Sequence, residues 1–183
     1  MKPKMILFDY GQTLCVEPQF DAVRGYGAVY DRTDGGKVSR ESFVNFADAM
    51  FLSLAVKAHA AYHEIDDVRF LRSVCTYCDM QSTISFEDAD LLYWDTATDG
   101  SHASPHAAEM LAALHARGIR TACVTNKDHT DAAPMLQKFF GERISHVEGR
   151  KPGRPTKPAP DAMYDALKAL GADPSRALYV GDS

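Results

Sequence analysis

Two stretches constrain the fold of this chain more than any other feature: "MILFDYG" at residues 5–11 and "ALYVGDS" at residues 177–183. In each, four wholly apolar residues, Met5 to Phe8 and Ala177 to Val180, run straight into a short polar segment carrying an acid. A strand that is apolar at every position, rather than at alternate ones, has to be covered on both faces. In a water-soluble chain that points to a parallel sheet sandwiched between helices. Ile119 to Val124, β-branched or apolar apart from Arg120, is a third run and Ile144 to Val147 a weaker fourth.

Helical patterns separate these runs in the second half of the chain. One starts near Ser104 and Pro105, carries Met110, Leu111 and Leu114 on one face, and ends before Gly118; the next opens at Pro160, carries Met163, Tyr164, Leu167 and Leu170, and stops at Gly171. Strand and helix in alternation predict an α/β fold with a doubly wound parallel sheet, a Rossmann-like core. Residues 17–97 read differently. They show helical periodicity and no strand, with Val44, Ala47, Phe51 and Leu54 in one stripe and Phe86, Ala89, Leu92 and Tyr93 in another. An all-helical block placed directly after the first strand is expected to be an inserted cap domain, leaving residues 1–16 and 98–183 as the core.

Composition narrows the function. A chain of 183 residues with 45% apolar and 25% charged residues can bury one sizeable core plus an inserted subdomain. Its formal net charge of -5, with no basic stripe, argues against nucleic acid or an anionic membrane as a partner. The apolar run after Lys2 and Lys4 is cut off by Asp9, too short for a signal peptide, and no stretch approaches the ~20 apolar residues of a membrane span. The expectation is a cytoplasmic protein whose four cysteines, Cys15, Cys75, Cys78 and Cys123, are thiols.

In a doubly wound sheet, ligands sit beyond the carboxyl ends of the strands. Following each predicted strand to its end gives Asp9 from the first, Thr125, Asn126 and Lys127 from the second, and Gly181, Asp182 and Ser183 from the last. Lys157 falls in the loop before the helix that feeds the last strand. Two carboxylates, a hydroxyl and a lysine on one rim suit phosphoryl chemistry. Asp9 and Asp182 offer oxygen ligands for Mg²⁺, which takes one or two carboxylates together with water and phosphate oxygens. Lys157 offsets phosphoryl charge, Thr125 holds a phosphoryl oxygen, and Asp9 is placed to attack phosphorus and form an aspartyl phosphate.

With "FDYGQTL", "VTNK", "GRPTKPAPDAMYDAL" and "YVGDS" in this order, the chain resembles the haloacid dehalogenase-like hydrolase superfamily, in its phosphoglycolate phosphatase-like branch with a helical cap after the first strand. The resemblance implies a Mg²⁺-dependent phosphatase acting on a small phosphorylated metabolite. Asp9 would be the nucleophile, Thr125 and Asn126 would bind phosphate, Lys157 would stabilise charge, and Asp182 and the Gly11 carbonyl would join Asp9 as metal ligands. Two departures matter. The phosphatases of this superfamily carry a second Asp two residues after the nucleophile, protonating the leaving group and then activating water; here that position is Gly11. Loss of such an acid should cost ~10²–10⁴ in rate on a poor leaving group and far less on an acyl or aryl phosphate. Relatives that break carbon–halogen or carbon–phosphorus bonds also lack this Asp, so a dehalogenase-like or phosphonatase-like hydrolase is an alternative, as is a silent family member with a binding role. The second departure is at Ser183, where the family continues with another acid, a fifth core strand and helices. The C-terminal part of the core is thus expected to be missing, leaving a sheet edge through which the chain could oligomerise.

Weaker features carry blander expectations. His59 and His63, at i and i+4 on a predicted helix, and Cys75 with Cys78 could form a zinc site in the cap, though packing is the commoner cause of such spacing and the expected one. His102 and His106 flank a helix start and should face solvent or cap it. Arg154 could approach a substrate but is expected to be solvated. Lys37 or Lys57 would supply the Schiff-base lysine of a phosphonate-cleaving enzyme.

Overall fold

The structure is a computed structural model describing residues 2–16, 20–98 and 100–182. Glu17, near the expected start of the cap, and Ser183, the end of the last motif, lie outside the described residues. In chain order the elements are β1 (Met5–Phe8), β2 (Cys15–Val16), α1 (Ala22–Tyr30), α2 (Arg40–Ala60), α3 (Asp67–Tyr77), α4 (Phe86–Ala97), β3 (His102–Ala103), α5 (Ala107–Ala116), β4 (Arg120–Asp128), α6 (His129–Phe140), β5 (Val147–Arg150), α7 (Asp161–Ala169) and β6 (Ala177–Val180). The chain divides into two compact units, one of Met1–Glu17 with Ser101–Ser183 and one of Pro18–Gly100.

The first unit holds a four-stranded sheet in the order β5-β4-β1-β6, every pair parallel. Strand order reverses around β1, since the chain moves from β1 outward through β4 to β5 and then returns to place β6 on the other side. That reversal opens a crevice at the carboxyl ends of β1 and β6. The wholly apolar pattern of β1 follows from its place between β4 and β6. Ile6 and Phe8 pack on one face with Leu111 of α5 and with Leu136 and Phe140 of α6. Met5 and Leu7 pack on the other with Ala166 and Leu167 of α7 and Val124 of β4. Each such side chain removed from water contributes about 2 kcal/mol.

Three details differ from the sequence reading. The fourth strand runs Val147–Arg150 rather than Ile144–Val147. Ile144 is an apolar anchor on the α5/α6 side of the core, and the strand itself contains a buried acid, Glu148, which broke the apolar pattern. β4 continues through Thr125, Asn126 and Lys127 instead of ending at Val124. A small antiparallel pair, β2 with β3, went unforeseen because two residues per strand leave no periodicity to detect. His102 lies exposed in β3, and His106 sits at φ 62° before α5 without capping it through its side chain.

The second unit is all-helical. Ser39, Asp66 and Ser85 accept the N–H of the third residue onward and cap α2, α3 and α4, and Asp21 caps α1 in the same way. The core gathers Tyr26, Phe43, Val44, Ala47, Phe70, Val74 and Tyr93. Gly25 lets α1 approach α4 closely, because a Cβ there would lie 2.6 Å from the Tyr93 ring and 2.9 Å from Ala97. Of the predicted stripes, Val44, Ala47, Ala89 and Tyr93 are buried, whereas Leu54 is exposed. No helix among the described residues is long and apolar enough to cross a membrane.

Candidate active site

Asp9 follows the last residue of β1, where the parallel register pairs Phe8 with Val180. Its N–H donates to the Val180 carbonyl at 2.9 Å, which fixes its backbone against β6. Just beyond, the N–H groups of Leu14 and Cys15 both donate to the Tyr10 carbonyl, at 3.1 and 2.8 Å, folding residues 10–15 into a tight turn with the Tyr10 ring buried. Gly11 stands in that turn. A Cβ built on it meets nothing within 4 Å.

The Asp9 carboxylate is only 6% exposed, and burying an ionised group requires compensation. Its Oδ1 accepts the Tyr10 N–H at 2.7 Å and faces Lys157 Nζ at 2.7 Å. Lys157 is itself 8% exposed and donates a second hydrogen bond to Tyr179 Oη at 3.0 Å. Burial alone would pull this ammonium down, but the bonds to Asp9 and Tyr179 outweigh it and hold Lys157 above the usual lysine range. The Lys157 ammonium is therefore charged at neutral pH.

A backbone irregularity shapes the neighbouring strand. β4 and β5 pair at Val124 with Glu148 and again at Asp128 with Arg150, so Thr125, Asn126 and Lys127 stand opposite the single residue Gly149. Such bulges re-aim side chains at sheet ends. Thr125 is buried, its hydroxyl accepting the Lys127 N–H at 3.1 Å. Asn126 grips the main chain of Lys157 from both sides: its Oδ1 accepts the Lys157 N–H at 2.9 Å and its Nδ2 donates to the Lys157 carbonyl at 3.3 Å. Asn126, which the family resemblance implied would bind phosphate, uses its side-chain amide to hold the lysine loop. Asp182, two residues past β6, is exposed at the same end of the sheet as Asp9.

Arg154 departs from the expectation of a solvated loop residue. Its guanidinium pairs with Glu148 and the Gly149 carbonyl and reaches Asp165 of α7 at 2.9 Å. Glu148 is buried, which by itself would raise its carboxyl. Hydrogen bonds from Lys151, His146 and Arg154 reverse this and lower it to about 2. This charge cluster ties the segment from Lys151 to Lys157 onto β5 and α7. A sequence signal existed, since an acid in a buried strand demands counter-charges and "GRKPGRPTK" follows at once. Tyr179 was also missed. The signal there was a phenol inside an otherwise aliphatic run, whose polar tip needs a partner when buried.

The cap features take the blander reading. Among the described residues no group of three His, Cys, Asp or Glu side chains is placed to hold a metal. His63 lies beyond the end of α2, so it does not share a helix face with His59. Cys75 and Cys78 are buried free thiols; burial pushes Cys75 up to about 11 and raises Cys78 as well. Cys15 and Cys123 are likewise buried thiols outside any disulfide. Lys57 is exposed on α2, and Lys37 forms an exposed 3.4 Å ion pair with Asp79.

The fold and its rim define a class: Rossmann-like α/β proteins that present a buried acid and lysine at the carboxyl end of the first strand. Within that class, the chain belongs to the haloacid dehalogenase-like hydrolase family, which it matches over residues 3–183. It is 36% identical over 95 residues to a phosphoglycolate phosphatase of Salmonella paratyphi A, a match covering 51% of this chain and 38% of that protein. The match thus spans well under half of the curated relative's length. Solved structures share the fold. A phosphoglycolate phosphatase candidate from Lactobacillus delbrueckii subsp. bulgaricus superposes with a TM-score of 0.64 at 21% identity, covering 100% of this chain and 80% of that one. CbbY from Rhodobacter sphaeroides, solved in complex with phosphate, gives 0.62 at 18% identity, covering 99% and 78%.

Proposed function

We propose that the chain is a phosphatase that hydrolyses a small phosphorylated metabolite through an aspartyl phosphate on Asp9. The observation that carries this reading is the buried 2.7 Å pair of Asp9 and Lys157 at the strand-order reversal, where an acid could act as nucleophile beside a fixed positive charge. Asp9 attacks phosphorus in line, the bond to the leaving oxygen breaks with its electron pair, and solvent supplies the proton. Water then attacks the phosphorus of the aspartyl phosphate, releasing inorganic phosphate and restoring the carboxylate. Lys157 and the Thr125 hydroxyl hold the charge on the transferred oxygens.

The donor set fits Mg²⁺. Two carboxylates on adjacent strand ends, Asp9 and Asp182, with the Gly11 carbonyl, are too few for an all-protein cage but suit an ion that keeps waters and shares a phosphate oxygen. When bound, the ion would neutralise phosphoryl charge. We assign substrate choice to the helical unit, as a cap inserted between β2 and β3, and place the protein in the cytoplasm, where its four cysteines would stay reduced. β6 forms one edge of the sheet with Leu178 and Val180 exposed, so the proposal includes self-association along it, read by light scattering.

The test is turnover of para-nitrophenyl phosphate and acetyl phosphate with Mg²⁺, comparing the protein with its Asp9→Asn variant. The variant should lose at least 10³-fold in kcat, and equal rates would defeat the reading.

A further inference from the structure

We infer that Tyr179 is a positioning residue for phosphoryl transfer, holding the Lys157 ammonium in place when Lys157 turns from Asp9 to the phosphoryl group. The inference rests on the phosphatase reading above and concerns a residue which that reading does not use. Lys157 Nζ has two hydrogen-bond partners at short range, Asp9 Oδ1 at 2.7 Å and Tyr179 Oη at 3.0 Å. These partners differ in what the reaction does to them. As Asp9 bonds to phosphorus its carboxylate charge passes to the phosphoryl group, so its hold on the Lys157 ammonium through Oδ1 weakens. Tyr179 undergoes no chemistry, and its bond can persist throughout. A lysine with four rotatable bonds and only one partner would lose its orientation at that moment; the phenol keeps the charge within the site at little entropic cost.

The local sequence is built to keep the phenol there. Tyr179 stands on β6 between Leu178 and Val180, paired in register with Leu7, and its ring packs on the α7 side of the core. The ring centroid lies 5.5 Å from Lys157 Nζ, as a hydrogen bond at the hydroxyl end of the ring requires, so the oxygen and not the ring face makes the contact. Its hydroxyl occupies the space beside Gly181, where a Cβ would lie 2.7 Å from Tyr179 Oη and 2.9 Å from the ring edge. Gly181 is not in the left-handed backbone region, so its lack of a side chain serves this close approach and not a turn. Burial raises the phenol above the usual tyrosine range, which keeps it protonated and therefore a neutral anchor that does not compete with phosphate for the lysine.

The expected signature is a loss in the chemical step without a loss in substrate binding. Tyr179→Phe keeps the ring and its packing and removes only the oxygen. It should lower kcat on para-nitrophenyl phosphate about tenfold, the scale of one hydrogen bond to a charged group, with KM changed less than about twofold. Inhibition by orthovanadate, which mimics the five-coordinate transition state, should weaken by a similar factor, while inhibition by inorganic phosphate should not. A residue that merely supports the fold would shift both inhibitors or neither. Gly181→Ala, which must displace the phenol, should reproduce the Tyr179→Phe loss in kcat and add little to it in the double variant. The inference is overturned if Tyr179→Phe retains wild-type kcat and vanadate inhibition while Asp9→Asn is inactive. It is also overturned if both inhibitors weaken equally. If the wild-type protein neither turns over these substrates nor binds vanadate or phosphate with Mg²⁺, the phosphatase reading has failed and the inference falls with it.

Discussion

Placing an acid at Gly11 tests how this site handles its leaving group. The backbone permits the change: a Cβ on Gly11 meets nothing within 4 Å, and φ there is outside the left-handed region, so Gly11→Asp can place its Cβ without clash or backbone strain. The turn around it is pinned by the two hydrogen bonds to the Tyr10 carbonyl, so the new side chain would project from a fixed base two residues from Asp9. A positioned general acid contributes about 10²–10⁴ in rate, or roughly 3–5 kcal/mol of barrier, where the leaving oxygen needs a proton. An alkoxide needs one and should gain nearly all of that; an acyl or para-nitrophenolate group hardly does and should gain less than about fivefold. The assay is kcat/KM for wild type and Gly11→Asp across phosphate esters whose leaving-group pKa runs from acetate to a simple alcohol. Wild type should show a steep fall in rate with rising leaving-group pKa and the variant a shallow one. Parallel lines, whether offset or coincident, would refute the argument that Gly11 withholds acid catalysis.

Two further outcomes follow from the buried charges. Lys157→Met removes the 2.7 Å ammonium partner of the buried Asp9 carboxylate and should destabilise the fold by about 3 kcal/mol in urea unfolding; adding Asp9→Asn should recover part of that loss, and a simple sum of the two single effects would contradict the coupling. Glu148, held at about 2 by Lys151, His146 and Arg154, is a carboxyl with a depressed folded-state pKa. Its contribution is complete above its unfolded value near 4.5 and lost as pH falls toward 2, so Glu148→Gln should be clearly less stable than wild type at pH 7 and nearly equal at pH 2, measured by thermal unfolding.

What could be read from the residues alone was whatever depends on local pattern. The wholly apolar β1 announces a parallel sheet because a doubly covered strand cannot alternate, and Asp9 and Asp182 follow from reading strands to their ends; β6, expected to be covered on both faces, lies at the sheet edge and alternates, with Leu178 and Val180 exposed. Helices α5 and α7 were legible from their spacing and their Pro and Gly boundaries. Contacts between distant segments were not. That Asn126 grips the Lys157 main chain from 31 residues away, that Arg154 turns inward to Glu148 and Asp165, and that Tyr179 reaches Lys157 depend on which strands become neighbours. A polar side chain carries no mark of its partner in the sequence. Its partner is chosen when the sheet brings the two into a space from which water is excluded, and there an unsatisfied group costs more than any local preference can offset.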